Sequence, residues 1–202
     1  MTTRTTPWPA GMPCWADTMT GDVAAAQAFY GAVLGWTFGA ASAEFGGYSN
    51  ASKGDRLVAG LGPAMDGARS AWTMYLATED IDATAAAVTA HGGTVMGGPH
   101  AVGDLGHMLV AGDPAGAVFG AWQAGTHTGS QVVNEPGSLM WEDLRSTDPA
   151  TAISFYENVF VYETRPMEMA GPDYRTFHLP GDDAPMGGMG GMFGDDGPSH
   201  WL

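Results

Sequence analysis

The stretch AFYGAVLGW at residues 28–36 returns, in altered form, as SFYENVFVY at residues 154–162. Phe29 and Phe155 lie 126 positions apart in the chain. Other residues match at the same offset: Trp15 with Trp141, Asp17 with Asp143, Asp22 with Asp148, and Tyr30 with Tyr156. The sequence therefore contains an internal duplication, and this duplication decides the fold.

Each copy begins with a short strand-like run, PCWADTM or SLMWEDL, that leads to an aspartate. Asp22 and Asp148 suit the start of a helix because a carboxylate accepts hydrogen bonds from the free amides there. Pro149 fits the first helical position, where a missing N–H costs nothing. The apolar residues that follow recur at helical spacing. We therefore expect each Phe-Tyr pair to lie on the buried face of an amphipathic helix.

A weaker copy lies between these two. The run AWTMYLATED alternates like a strand, Asp80 or Asp82 can cap a helix, and Gly92 and Gly93 provide a left-handed stop. After each predicted helix, about three strand-like segments are separated by Gly, Pro and Asp. The chain thus divides into three βαβββ repeats at residues 12–67, 70–124 and 138–199, with a linker at 125–137.

Composition excludes several classes of function. The 202 residues include 7 Lys and Arg against 22 Asp and Glu, and the formal charge of −15 repels nucleic acid and anionic lipid head groups. The single cysteine, Cys14, cannot form an internal disulfide. The N-terminal sequence lacks the apolar region of a secretory signal, and no apolar run has the ~18 residues needed to span a membrane. We expect a cytoplasmic protein.

Tandem βαβββ repeats, the AFYGAVLGW helix and the segment DPAGAVFGAW resemble the vicinal oxygen chelate superfamily, the group of glyoxalases, bleomycin-resistance proteins and extradiol dioxygenases. The openings PCWAD and MWED are similar to those of its two-domain actinobacterial members. The resemblance implies an α+β fold in which the first two repeats pair around one cleft. It implies a first domain at residues 1–124, and residues 138–202 would form the first half of a second domain.

Enzymes of this superfamily hold a divalent metal ion with His, Gln or Glu on the first strand of each repeat and Glu on a last strand. The resemblance places Trp15 or Trp141, Thr73 (or the neighbouring Trp72) and Gly120 at these positions, and none of them is a good metal ligand. His100 and His107, with Asp104 between them, lack the spacing of a tight metal site. We therefore predict no metal, no cofactor and no standard catalytic residues.

The resemblance implies that the metal-ligand positions face the cleft, and strand alternation adds the residues two positions away, because residues i and i+2 lie on one face of a strand. An aromatic pocket that carries acids would favour flat or cationic organic molecules. The alternative is that the tryptophans are ordinary core residues and the aspartates cap loops. The predicted ligand-binding residues are Trp15, Asp17, Thr73, Tyr75, Trp122, Trp141 and Asp143.

The resemblance implies metal-independent binding of a small organic molecule, as in sequestration by bleomycin-resistance proteins. One alternative is a glyoxalase-, lyase- or dioxygenase-like enzyme with a non-standard metal site or with Asp17 as a general base. Another is a scaffold whose cleft is vestigial. The final GPSHWL resembles the start of the second repeat. We therefore expect either ~55 further residues in the natural protein or a homodimer formed through residues 138–202.

Overall fold

The computed structural model describes residues 3–194 and 196–202, which form two compact units. The first unit contains Cys14–Met74 and Thr128–Met140 together with the N-terminal residues up to Thr6. The second unit contains Pro7–Pro13, Tyr75–His127 and Trp141–Leu202. The second unit therefore holds most of the second repeat together with the third.

Three helices occupy the positions that the sequence predicts: α1 at Val23–Leu34, α2 at Ile81–Ala90 and α3 at Pro149–Phe160. Asp22, Asp80 and Asp148 are their N-caps. Each carboxylate accepts a backbone hydrogen bond three residues on, at 2.9, 2.9 and 3.2 Å respectively. Among the described residues, no helix is long and apolar enough to cross a membrane.

Along the sequence, the first repeat has one strand before α1 and three strands after it. They are β1 at Pro13–Thr20, β2 at Thr37–Phe38, β3 at Ser49–Lys53 and β4 at Arg56–Pro63. In space their order is β2-β3-β4-β1, and β4 runs parallel to β1. This parallel pair places the first and last strands of the repeat side by side.

The second repeat has the same organisation, with the spatial order β5-β8-β7-β6. Its last strand runs parallel to its first, with Tyr75 opposite Gly120. The strands are β5 at Ala71–Ala77, β6 at Thr94–Val102, β7 at Gly106–Gly112 and β8 at Val118–Ala124.

The third repeat forms a separate sheet in the order β10-β11-β12-β9-β13. Its strands are β9 at Glu142–Ser146, β10 at Glu163–Pro166, β11 at Arg175–His178, β12 at Gly187–Gly191 and β13 at His200–Trp201. β13 follows the third repeat, which the sequence places at residues 138–199. Without β13, each of the three repeats has one strand, one helix and three strands, and the predicted α+β class is confirmed.

The duplicated Phe-Tyr pair has different environments in the two helices. Phe155 and Tyr156 of α3 are buried, as predicted, and pack edge-on against Phe119 of β8 with ring centroids 5.9 and 5.5 Å apart. Phe29 of α1 is 58% exposed, so its predicted burial is wrong. Helical spacing determines which residues share one face of a helix, but burial requires a neighbouring element that covers this face. For α3 of the third repeat, Phe119 of the second repeat provides that cover.

Candidate functional site

Two of the predicted site residues are joined in the first repeat through Tyr48. The indole N–H of Trp15 donates a hydrogen bond to the Tyr48 hydroxyl at 2.9 Å. That hydroxyl donates in turn to Oδ2 of Asp17 at 3.2 Å. Trp15 and Asp17 are only 4% and 5% exposed. Tryptophan, tyrosine and aspartate therefore form a largely buried hydrogen-bonded chain on one face of β1.

The third repeat contains the same chain. Trp141 donates to the Tyr174 hydroxyl at 3.2 Å, and this hydroxyl donates to Oδ1 of Asp143 at 3.1 Å. In this repeat the tryptophan is partly accessible to solvent, since Trp141 is 41% exposed. The predicted pairs of site residues are therefore each brought together by a tyrosine that the sequence reasoning missed. The signal was present, because Tyr48 and Tyr174 are also 126 positions apart.

Glycines on the last strand of each repeat make room for these tyrosines. Gly60 lies opposite Asp17 and Gly188 lies opposite Asp143 in the parallel strand pairs. A Cβ atom at Gly60 would lie 1.6 Å from the Tyr48 hydroxyl oxygen, and one at Gly188 would lie 1.8 Å from that of Tyr174. Only glycine allows the phenol to lie this close to the strand.

The two hydrogen-bonded Trp-Tyr-Asp chains differ in the charge of a neighbouring residue. The position two residues after the aspartate is Met19 in the first repeat and Arg145 in the third. Arg145 forms a salt bridge with Asp143, and both side chains are 15% exposed. Burial raises the pKa of the Asp143 carboxyl, while Arg145 and Tyr174 oppose this shift. The third repeat therefore holds an Asp143–Arg145 ion pair, whereas the first repeat has Met19 at the position of that arginine.

The predicted residues of the second repeat have other surroundings. Trp72 donates to the Tyr30 hydroxyl of α1 at 2.9 Å, so its neighbour Thr73 points to the opposite face of β5. The Tyr75 ring occupies the space beside Gly120, where an added Cβ would lie 2.1 Å from a ring carbon. Trp122, on the same face of the β5–β8 pair as Tyr75, donates to the His127 carbonyl at 2.9 Å.

Two further buried groups have displaced pKa values. Burial raises the pKa of Glu142 to about 7. Glu142 lies next to Asp143 on β9 and so points to the opposite face, which it shares with the buried Leu144. Burial also lowers the pKa of His127 to about 4, which keeps its imidazole neutral at pH 7. The sequence gives no signal for either shift because both depend on packing.

The positions at which the family would hold a metal ion do not fit one. An indole N–H is a donor without a lone pair to offer, and that of Trp15 is directed at Tyr48. Gly120 has no side chain, and the Tyr75 ring fills the space beside it. Among residues 3–194 and 196–202, no three His, Cys, Asp or Glu side chains are grouped closely enough to bind a metal ion. Each Trp-Tyr-Asp chain instead supports stacking, hydrogen bonding and charge pairing.

A cavity of about 350 Å³ lies elsewhere in the second unit, between α2 and α3. None of the predicted ligand-binding residues lines it. Its lining consists of His91, Ala150, Thr151, Ser154, Phe155 and Asn158.

Comparison with known proteins agrees with this architecture. A family model described as a glyoxalase-like domain matches residues 15–121. A putative glyoxylase, CFP32, of Mycobacterium bovis is 37% identical over 95% of this chain and 75% of its own length. The anthracycline biosynthesis protein DauV of a Streptomyces species is 38% identical over 72% of this chain, and the match spans 59% of DauV.

Solved structures share the fold at low sequence identity. The Mn(II)-bound glyoxalase from Novosphingobium aromaticivorans has a TM-score of 0.68 at 16% identity, covering 94% of this chain and 63% of that structure. Homoprotocatechuate 2,3-dioxygenase from Brevibacterium fuscum has a TM-score of 0.65 at 15% identity, covering 97% and 64%. The chain thus spans less than two thirds of each structure. It belongs to the glyoxalase-like domain family of the vicinal oxygen chelate superfamily.

Proposed function

We propose that this protein binds a small, flat organic molecule without using a metal ion. The observation that carries the proposal is the hydrogen-bonded Trp-Tyr-Asp chain, which occurs twice and has tryptophan at the family's metal-ligand position. Such a face offers an aromatic surface for stacking and a phenol and a carboxylate for polar contacts. Ligand binding needs no more than these elements.

The two Trp-Tyr-Asp chains differ in how accessible they are to a ligand. In the third repeat Trp141 is 41% exposed, so an aromatic ring can stack on it directly. In the first repeat the indole and the carboxylate are almost covered, and the half-buried Tyr48 is the member open to a ligand. Asp17 lies behind that hydroxyl and favours a ligand that carries positive charge. Thr73, Tyr75 and Trp122 remain proposed ligand contacts of the second repeat.

The names of relatives support an aromatic ligand. Two similar Streptomyces proteins are named as anthracycline biosynthesis proteins. An anthracycline is a planar fused-ring compound, and stacking on tryptophan suits molecules of that shape. We infer sequestration, in the manner of a bleomycin-resistance protein, as the simplest role of such binding.

The test uses two planar probes with the same fused-ring system and different charge, proflavine as the cation and acridine as the neutral compound. Quenching of tryptophan fluorescence reports their binding to the wild-type protein in the presence of a chelator. We expect both probes to bind to the wild-type protein. We expect Asp17→Asn to lower the affinity for proflavine about tenfold and to change the affinity for acridine less than about twofold.

The matched control is Asp66→Asn, which removes one negative charge from an exposed position of the same unit. It should leave both affinities unchanged, because salt screens the charge of an exposed side chain. If neither probe binds in the chelator, or if Asp66→Asn acts as strongly as Asp17→Asn, the proposal fails.

An enzyme is the second candidate function, because similar mycobacterial proteins are named as putative glyoxylases. The hydrogen bond from the Tyr48 hydroxyl to Asp17 would supply an acid/base pair for proton transfer. Elemental analysis of protein purified without chelators or a polyhistidine tag distinguishes the candidates. Stoichiometric metal would favour the enzyme.

A further inference from the structure

The guanidinium of Arg145 has hydrogen-bonding capacity that the described residues do not use. One of its terminal nitrogens, Nη2, pairs with Asp143. The other, Nη1, is inaccessible to solvent and has no hydrogen-bond partner among the described residues. A buried donor of a charged group that lacks a partner costs free energy, so a ligand acceptor at this nitrogen would be favourable.

An exposed aromatic ring already covers this guanidinium. The Phe193 ring centroid lies 4.1 Å from the Cζ atom of Arg145, and the Tyr174 ring centroid lies 5.4 Å away. Phe193 is nonetheless 66% exposed, and its φ of 44° is uncommon for a residue with a side chain. Its ring shows where an aromatic group stacks on Arg145, but it offers Nη1 no acceptor.

The first repeat lacks all of this chemistry. Met19 replaces Arg145 in the same register, since Met19 lies opposite Gly62 and Arg145 lies opposite Gly190. The two repeats therefore present the same aromatic chain with different charges. Both tyrosines lie close to a glycine of the neighbouring strand, so the close approach of the phenol does not itself require Arg145.

We propose that the third repeat carries a second ligand site, specific for a planar aromatic anion, in which the ligand ring replaces Phe193 on the guanidinium and its anionic oxygen accepts a hydrogen bond from Arg145 Nη1. Trp141 and Tyr174 form the walls of this site. The first site selects cations through Asp17, so the duplicated sites have opposite charge preferences. This inference rests on the proposed function, because it assigns a ligand class to the second copy of the same face.

The test compares anilinonaphthalene sulfonate, an aromatic anion, with the uncharged phenylnaphthylamine. At about 150 mM salt, charges farther away than about 8 Å are screened, so the net charge of the protein has little influence. Arg145→Met gives the third repeat the residue of the first. We expect this substitution to lower the affinity for the anionic probe about tenfold and to change the affinity for the neutral probe less than about twofold. Equal loss of both probes, or loss of neither, would overturn the proposal.

A second variant changes binding in the opposite direction. Phe193→Ala removes the ring that competes with the ligand, and we expect tighter binding of the anionic probe, by a few-fold. Unchanged or weaker binding would show that the ligand does not take the place of Phe193. Proflavine binding to the Asp17 site is measured in parallel. If it persists while the anionic probe shows no dependence on Arg145, the inference fails and the proposed function stands.

Discussion

At the residue scale, the close approach of tyrosine to glycine is the least tolerant feature of the site. Gly188→Ala places a Cβ atom within 2 Å of the Tyr174 hydroxyl oxygen and must displace the ring. We expect a loss of about 2 kcal/mol in the free energy of unfolding, as overpacking typically costs. Chemical denaturation in urea measures it.

Gly191 supplies the control for this substitution. It lies on the same strand, β12, but an added Cβ would meet nothing within 4 Å. Gly191→Ala should therefore change the free energy of unfolding by less than about 0.5 kcal/mol. Similar losses at the two positions would contradict the account of the tyrosine.

The pH dependence of stability should report the buried Glu142. Its pKa in the folded protein is about 7, above the ordinary value of 4.5, because burial disfavours the charged form. The folded chain therefore holds this proton more tightly than the unfolded chain. The resulting stabilisation is complete below the ordinary pKa and is lost as the pH rises through about 7.

Glu142→Gln removes this titration. Relative to the wild type, we expect the variant to gain up to about 3 kcal/mol in the free energy of unfolding between pH ~5 and pH ~8. Glu79→Gln, at an exposed position, is the control and should show no such gain. The difference between wild type and variant also cancels the opposing contribution of His127. Parallel stability profiles for the wild type and Glu142→Gln would refute the assignment.

Part of the site could be predicted from single residues and part could not. The fixed offset and strand alternation identified Trp15, Asp17, Trp141 and Asp143 as repeated, same-face pairs. Tyr48 was missed because it lies 31 residues beyond Asp17, just before β3, and its position beside β1 depends on sheet pairing. The unused donor of Arg145 was also missed, since hydrogen-bond partners are a property of packing.

At the scale of elements, α1 and α3 show that one pattern can have two energetic roles. Phe155 is 2% exposed against Phe119, whereas the matching Phe29 is 58% exposed. We expect Phe155→Ala to lower the free energy of unfolding by about 3–5 kcal/mol, the usual cost of emptying a core aromatic position. Phe29→Ala should cost less than about 1 kcal/mol. Denaturation of the two variants side by side measures both, and equal costs would contradict the burial difference.

The order of elements was predictable because caps, turns and periodicity are local. Asp22, Asp80 and Asp148 each mark a helix start, and glycine or proline separates the strands that follow. Which helix face finds a partner is decided by contacts between repeats. The apolar pattern alone predicts the same burial for Phe29 and Phe155, and this is why that prediction was wrong in α1.

At the scale of the whole molecule, the third repeat leaves apolar side chains exposed. Met140, Trp141 and Phe193 are 67%, 41% and 66% exposed. An exposed apolar surface favours association, and pairing of two chains through residues 138–202 stays a prediction. Analytical ultracentrifugation over a range of concentrations tests it. We expect dimers at high concentration, and a monomer throughout would contradict the pairing.

Our central proposal is that this protein binds its ligand through aromatic and charged side chains alone, although a glyoxalase of similar fold binds Mn(II). The most direct measurement is the affinity for proflavine in chelator-treated protein, repeated after addition of Mn²⁺ in excess. We predict the same affinity in both states, because Trp15 and Gly120 offer the metal ion no ligand. Binding that appears only after Mn²⁺ is added would contradict the account.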